Sequence, residues 1–150
     1  MSKWFRKGYA KRENKMIVII CLDDRNGMLF NRRRQSRDRT VVQDILKECG
    51  NHSLWTNKFS AALFAGLDLP VKISETPFEE AQKEDFCFIE NLKLKPYDNR
   101  IEKIIVYRWN RNYPADVYLD IDLRNGWQLL SQTEFVGYSH EKITKELYVK

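Results

Sequence analysis

The chain is poor in the residues that most catalytic and metal chemistry needs. Its 150 residues include only 2 histidines, 3 cysteines and 6 glycines. His52 and His140 are too scattered for a histidine metal cluster. Cys21, Cys49 and Cys87 form no C-x-x-C pair, so neither a disulfide framework nor a zinc site is expected. They read as reduced cysteines of a cytoplasmic protein. The glycines are dispersed, which excludes a Gly-rich phosphate cradle, and no P-loop, G-x-S-x-G or H-E-x-x-H occurs. No apolar run approaches the ~20 residues of a membrane helix. The stretch before Met16 is basic without an apolar core, so it does not read as a signal peptide. There is no internal repeat and no low-complexity segment.

What is present is positive charge, unevenly placed. The net charge is +5, and residues 1–15 account for all of it. They carry Lys3, Arg6, Lys7, Lys11, Arg12 and Lys15 against Glu13 alone. A second cluster, Arg32, Arg33, Arg34, Arg37 and Arg39, is opposed locally only by Asp38. Clustered charge attracts polyanions where a balanced surface does not. Trp4, Phe5 and Tyr9 lie among the tail cations, a mixture suited to phosphate contacts and base stacking. A plain solvated arm, or a remnant of an upstream reading frame, is the other reading of this tail. The expected organisation is a basic tail over 1–15 and one domain over 16–150. The candidate nucleic-acid contacts are Lys3, Arg6, Lys7, Lys11, Arg12, Lys15, Arg32, Arg33 and Arg34.

The domain opens with seven apolar residues, Met16–Leu22, which stop at Asp23-Asp24-Arg25-Asn26-Gly27. A β-branched run that ends at a turn reads as a strand buried on both faces. A loop is expected through Asn31–Arg37. Val41, Val42, Ile45 and Leu46 then mark one face of a helix, with Asp38 or Thr40 as cap and Gly50 as stop. Further strands are expected at Ser53–Trp55, Val71–Ser74, Phe86–Ile89 and Ile104–Tyr107, with helices over Phe59–Phe64 and after Thr76-Pro77. Val117–Ile121, Trp127–Phe135 and Ile143–Tyr148 make a β-rich end. Alternating units followed by consecutive strands imply an α/β mixed sheet flanked by helices, mainly parallel, with antiparallel C-terminal strands.

The order of these segments resembles the dihydrofolate reductase family from Met16 to Lys150. Asp24-Arg25-Asn26-Gly27-Met28-Leu29 resembles the exit of its first strand. Glu79-Glu80-Ala81 with Asp85–Ile89 resembles its last helix-to-strand unit, and Ala115–Leu119 its Gly-Asp-Thr-aromatic segment. The resemblance implies NADPH as cofactor and a buried carboxylate at the start of the first long helix. This chain aligns Thr40 or Val41 there. Asp38 qualifies only if the helix starts earlier, and otherwise reads as a cap, with Asp44 facing solvent. The threonine partner of that carboxylate falls at Val117. The glycine turns implied for cofactor binding are replaced by Glu90-Asn91 and by Leu29, and a carboxylate at position 90 would repel and crowd a diphosphate. Of the implied phosphate-binding turn, only Lys58 and Ser60 keep suitable side chains. The strand carrying the ribose-phosphate contacts looks deleted between Gly66 and Val71.

Three functions follow. The first is a non-catalytic binding module on this fold, with no cofactor and with nucleic acid as its partner. The second is a divergent reductase using NADPH or a nucleotide, with Trp55 near the ligand edge as reporter. The third is a protein-interaction module presenting Arg108, Trp109, Arg111 and Tyr113 as a surface. Asp116, Asp120 and Asp122 fall on one face of a strand; a solvated face is the expectation, a divalent-cation site the alternative.

Overall fold

A computed structural model describes residues 15–67 and 71–150. The elements in chain order are β1 (Met16–Leu22), β2 (Gly27–Phe30), β3 (Arg33–Arg34), α1 (Arg39–Cys49), β4 (Leu54–Thr56) and α2 (Lys58–Ala61). They continue with β5 (Val71–Ile73), α3 (Pro77–Glu80), β6 (Phe86–Phe88), β7 (Ile101–Arg108), β8 (Val117–Tyr118), β9 (Gln128–Phe135) and β10 (Ile143–Val149). Seven strands form one sheet in the order β5-β4-β6-β1-β7-β10-β9. Pairing is parallel from β5 to β7 and antiparallel on both sides of β10. The mixed α/β sheet expected from the sequence is therefore present.

β1 is central because it can be buried on both faces. Val18, Ile20 and Leu22 pack with Phe78, Leu94 and Ile104 on one side. Ile19 packs with Val41, Ile45 and Tyr107 on the other. A side chain of this size contributes about 1.5–3 kcal/mol when fully buried. The face of α1 that meets the sheet carries Val41, Ile45 and Cys49, four residues apart. Asp38 caps the helix by accepting from the Thr40 N–H at 2.9 Å. Gly50, at φ 55°, ends it and donates to the Leu46 carbonyl at 3.2 Å.

Four expectations are corrected. The loop through Asn31–Arg37 contains a hairpin, in which Leu29 pairs with Arg34 and Phe30 with Arg33. Its two-residue turn is Asn31-Arg32 at φ 51° and 61°. Positive φ at both turn residues matches the twist of the flanking strands, although Arg is an uncommon choice there. The strand expected over Val117–Ile121 is confined to β8, which joins β2 and β3 in a separate three-stranded sheet. The helix over Phe59–Phe64 is α2 followed by a 3-10 turn, Ala62–Phe64. Asp44 does not simply face solvent. It accepts from the Tyr107 hydroxyl at 2.6 Å and pairs with Lys145 at 2.8 Å. Burial, then Asp44, pushes the Tyr107 phenol up.

Lys3, Arg6, Lys7, Lys11 and Arg12 lie outside the described residues. Among the described residues, no helix is long and apolar enough to cross a membrane.

Candidate functional site

In an open α/β sheet, ligands meet the carboxyl ends of the parallel strands. At that edge β1 runs into Asp23, which is buried and organises the exit. Its Oδ1 accepts from the N–H groups of Arg25 and Gly27 at 2.9 and 2.7 Å. Its Oδ2 accepts from Gln35 Nε2 at 3.0 Å. Gly27 is required by space: a Cβ there would come within 2.7 Å of both Ala115 Cβ and Asp23 Oδ2. The Asn-Gly signal thus marks a tightly packed corner rather than an open loop.

Beside this corner the sheet edge is filled by charge. Arg34 leaves the hairpin and grips Glu90 through Nε at 2.7 Å and Nη2 at 2.8 Å. Ser60 donates to the same carboxylate at 2.7 Å. Phe59 lies under the Arg34 guanidinium, 4.9 Å from ring centre to Cζ. Asn91 is tied to Asn57 at 2.7 Å. Burial, then Glu90, pushes the neighbouring Cys21 thiol up. The charge of Glu90 is therefore neutralised locally by Arg34. Ser60, a candidate phosphate contact, is committed to Glu90, while the Lys58 N–H goes to Glu75 at 3.0 Å. The backbone at Glu90 and Asn91 is thus flanked by paired side chains, Arg34 and Ser60 on Glu90 and Asn57 on Asn91.

A second centre lies at the start of α1. The helix begins at Arg39, so a buried carboxylate does stand at its entrance, and it is Asp38. Asp38 accepts from the N–H groups of Tyr138 and Ser139 at 2.9 and 2.8 Å, and from His140 Nδ1 at 2.9 Å. Burial opposes its ionisation, but the bonds from Tyr138, His140, Ser139 and Thr40 outweigh burial and hold its carboxyl well below the usual carboxylate range. His140 Nε2 meets Ser36 Oγ at 3.0 Å and the Tyr113 hydroxyl at 3.1 Å. Trp109 stacks on the imidazole at 4.7 Å with the planes 24° apart. The 137–140 loop must come very close to reach Asp38: a Cβ on Gly137 would sit 2.6 Å from Asp38 Oδ2. Gly137→Ala is expected to cost about 1–3 kcal/mol, read from denaturant unfolding.

Several sequence-based assignments move. Trp109 is buried against His140, and Arg108 is engaged by Glu146 at 2.9 Å and by Asn26 at 2.6 Å. The surface expected from Arg108, Trp109, Arg111 and Tyr113 therefore leaves Arg111 as its exposed member. Trp55 turns away from the ligand edge, since its Nε1 donates to Asp85 at 3.0 Å, at the entrance of β6. Val117 is 38% exposed on β8. The three aspartates have separate partners: Asp116 accepts from the Asn31 N–H, Asp120 from Leu94 and Lys95, and Asp122 pairs with Arg124. Among the described residues no group of three could hold a metal ion. Arg32 and Arg33 are exposed, while Arg34 turns inward. Lys15 is exposed at the opposite end of β1, about 23 Å away at 3.3 Å per residue.

The sheet order, the central β1 and the antiparallel closure by β10 are those of the dihydrofolate reductase fold. Among solved structures, the chain is similar to dihydrofolate reductase from Enterococcus faecalis complexed with NADP(H) and RAB-propyl, at a TM-score of 0.63. The match covers 91% of this chain and 96% of that one at 11% identity. No protein-family model matches the chain, and no curated protein does.

Proposed function

We propose that this protein is a polyanion-binding module on the dihydrofolate reductase fold, with nucleic acid as its partner, and that it does not carry out NADPH-dependent reduction. The observation that carries the second half is the Arg34–Glu90–Ser60 cluster, which occupies the edge where the fold resemblance implies a cofactor turn. The binding half is supported by exposed Arg32, Arg33, Arg37, Arg39 and Arg111 around the hairpin and the helix entrance. Aromatic surface lies among them: Phe30 is 47% exposed and Tyr138 68%, with Arg39 packed 4.5 Å above the Tyr138 ring. Cations beside exposed rings suit single strands, whose bases stack while phosphates pair.

The test is titration of labelled single-stranded and duplex oligonucleotides at about 50 and 200 mM salt. Binding should weaken steeply with salt and favour the single strand. Replacing Arg32 and Arg33 by alanine should lower the salt slope by about one for each phosphate no longer neutralised. Deletion of residues 1–15 should weaken binding further. Absence of salt-dependent binding would remove this reading, and saturable NADPH binding below millimolar concentration would restore the reductase.

A further inference from the structure

The His140 centre has a geometry that loop anchoring does not need. We infer that Ser36, His140 and Asp38 form a nucleophile–base–carboxylate relay that hydrolyses a carboxylic ester bearing a negatively charged group.

The relay is fixed by its innermost member. Asp38 is buried and ionised, and the Tyr138, Ser139 and Thr40 N–H groups occupy part of its acceptor capacity. Oδ2 also meets the Ser139 hydroxyl at 3.1 Å and His140 Nδ1 at 2.9 Å, and the same hydroxyl lies 3.2 Å from Nδ1. A carboxylate there selects the tautomer with hydrogen on Nδ1, which leaves the Nε2 lone pair to the Ser36 and Tyr113 hydroxyls. Ser36 Oγ lies 3.0 Å from Nε2, within reach for proton transfer. The ring cannot swing away, because Trp109 stacks on its face. Hydroxyl, imidazole and carboxylate thus stand in the order that acyl transfer uses on unrelated folds. Asp38 is a positioning residue here.

Recognition comes from the flanks. Ser36 is half-buried, and its neighbours in the chain line two separate cavities. Gln35 and Tyr113 line one of about 300 Å³, together with Arg33. Arg37 lines another of about 390 Å³ with Tyr138 and Ser139. Gln35 Oε1 is buried and has no hydrogen-bond partner among the described residues. An N–H or O–H of a bound molecule would satisfy it. Arg33 and Arg37 put positive charge on both sides of Ser36, which draws an anionic group toward it.

In the first half-reaction Ser36 Oγ attacks the ester carbonyl carbon while its proton passes to His140 Nε2. The carbonyl electron pair moves onto oxygen. The tetrahedral adduct then collapses, the bond to the alkoxy oxygen breaks, and the alcohol leaves with the proton from Nε2. In the second half, water attacks the acyl-serine and gives its proton to Nε2. Collapse expels Ser36 Oγ, which recovers that proton, and the carboxylic acid departs. One ester and one water give one acid and one alcohol.

Tyr113 supplies a distinguishing feature. Its hydroxyl sits 3.1 Å from the same Nε2 and competes with Ser36 for one lone pair. Removing it should leave the relay intact and Ser36 better paired.

The experiment is labelling of the full chain with a fluorophosphonate, which loses fluoride as Ser36 Oγ bonds to phosphorus. A single adduct on the Ser36 peptide is expected by mass spectrometry, absent in Ser36→Ala. His140→Gln should label at least about 100-fold more slowly. Tyr113→Phe should label faster than the wild type. The monoanionic 4-nitrophenyl hemisuccinate should be hydrolysed faster than 4-nitrophenyl acetate, with that preference lost in the Arg33→Ala, Arg37→Ala double variant. No Ser36 adduct in the folded wild type overturns the proposal. So does an undiminished rate in folded His140→Gln. If His140→Gln does not fold, Tyr113→Phe decides, and a rate no faster than wild type overturns it. Equal turnover of the two esters overturns the anionic specificity. None of these readouts depends on polyanion binding.

Discussion

Asp38→Ala is expected to lower the unfolding free energy by about 4 kcal/mol, seen as a lower urea midpoint at unchanged m-value. The loss is large because the carboxylate serves several groups at once. Without it the N–H groups of Thr40, Tyr138 and Ser139 lose their acceptor inside the protein, and the Nδ1 of His140 keeps only the Ser139 hydroxyl at 3.2 Å. Each buried donor left unpaired costs about 1–3 kcal/mol, and local relaxation recovers part of the total. A domain of this size holds only about 5–15 kcal/mol in all, so this variant is close to the folding limit. The same carboxylate gives stability a defined pH dependence. Its pKa is lower folded than unfolded, where it is about 3.9. Its contribution is therefore complete above about pH 4 and is lost as the pH falls from there toward the folded value. Asp38→Asn should flatten that acid limb in urea titrations, whereas an unchanged acid limb would mean that Asp38 does not set it.

The second large effect is expected at the Arg34–Glu90 pair, and its sign depends on how many partners are removed. Arg34→Ala strands a Glu90 side chain that is only 9% exposed, with Ser60 as its remaining donor. Breaking such a pair from one side costs about 3–5 kcal/mol, because a charge is left in a poorly solvated place. Glu90→Ala should cost less, since Arg34 is 19% exposed and can turn toward water. Replacing both together, Arg34→Met with Glu90→Leu, should restore stability to within about 1 kcal/mol of the wild type. Thermal unfolding of Arg34→Met, Glu90→Leu and the two combined measures this cycle. Additive losses in the double variant would show that the pair is not coupled, and that the sheet edge is held by packing.

Much of the scaffold is legible because it is written in local patterns. The seven apolar residues of β1, the four-residue spacing in α1 and the Thr-Pro-acidic start of α3 each state their element within a short window. The β2–β3 hairpin is hidden because Asn31-Arg32 takes positive φ without the glycine that announces such turns. Asp38 and Thr40 compete as caps, and the choice between them moves the helix start far enough to hide the buried carboxylate. The two centres are illegible for a different reason. Glu90 stands out as a departure from an expected glycine, but its partner Arg34 lies 56 residues earlier. Ser36, Asp38, Tyr113 and His140 are joined across as many as 104 positions, and each alone looks like an ordinary loop residue. Trp109 resembles a recognition residue among arginines, and only its ring contact with His140 tells otherwise.

The place of β1 also has a kinetic meaning. Its neighbours on either side are β6 and β7, at sequence separations of about 70 and about 85 residues. Neither hydrogen-bonding edge of β1 can be covered until most of the chain is available. Non-local pairing of this kind slows folding toward about milliseconds to seconds, because loop closure precedes the contacts that reward it. During that interval Met16–Leu22 is an uncharged, proline-free β segment of the kind that pairs with other copies of itself. The segment that gives the native sheet its centre is thus also the one most exposed to misassembly while the sheet is unfinished, and refolding yield should fall as protein concentration rises.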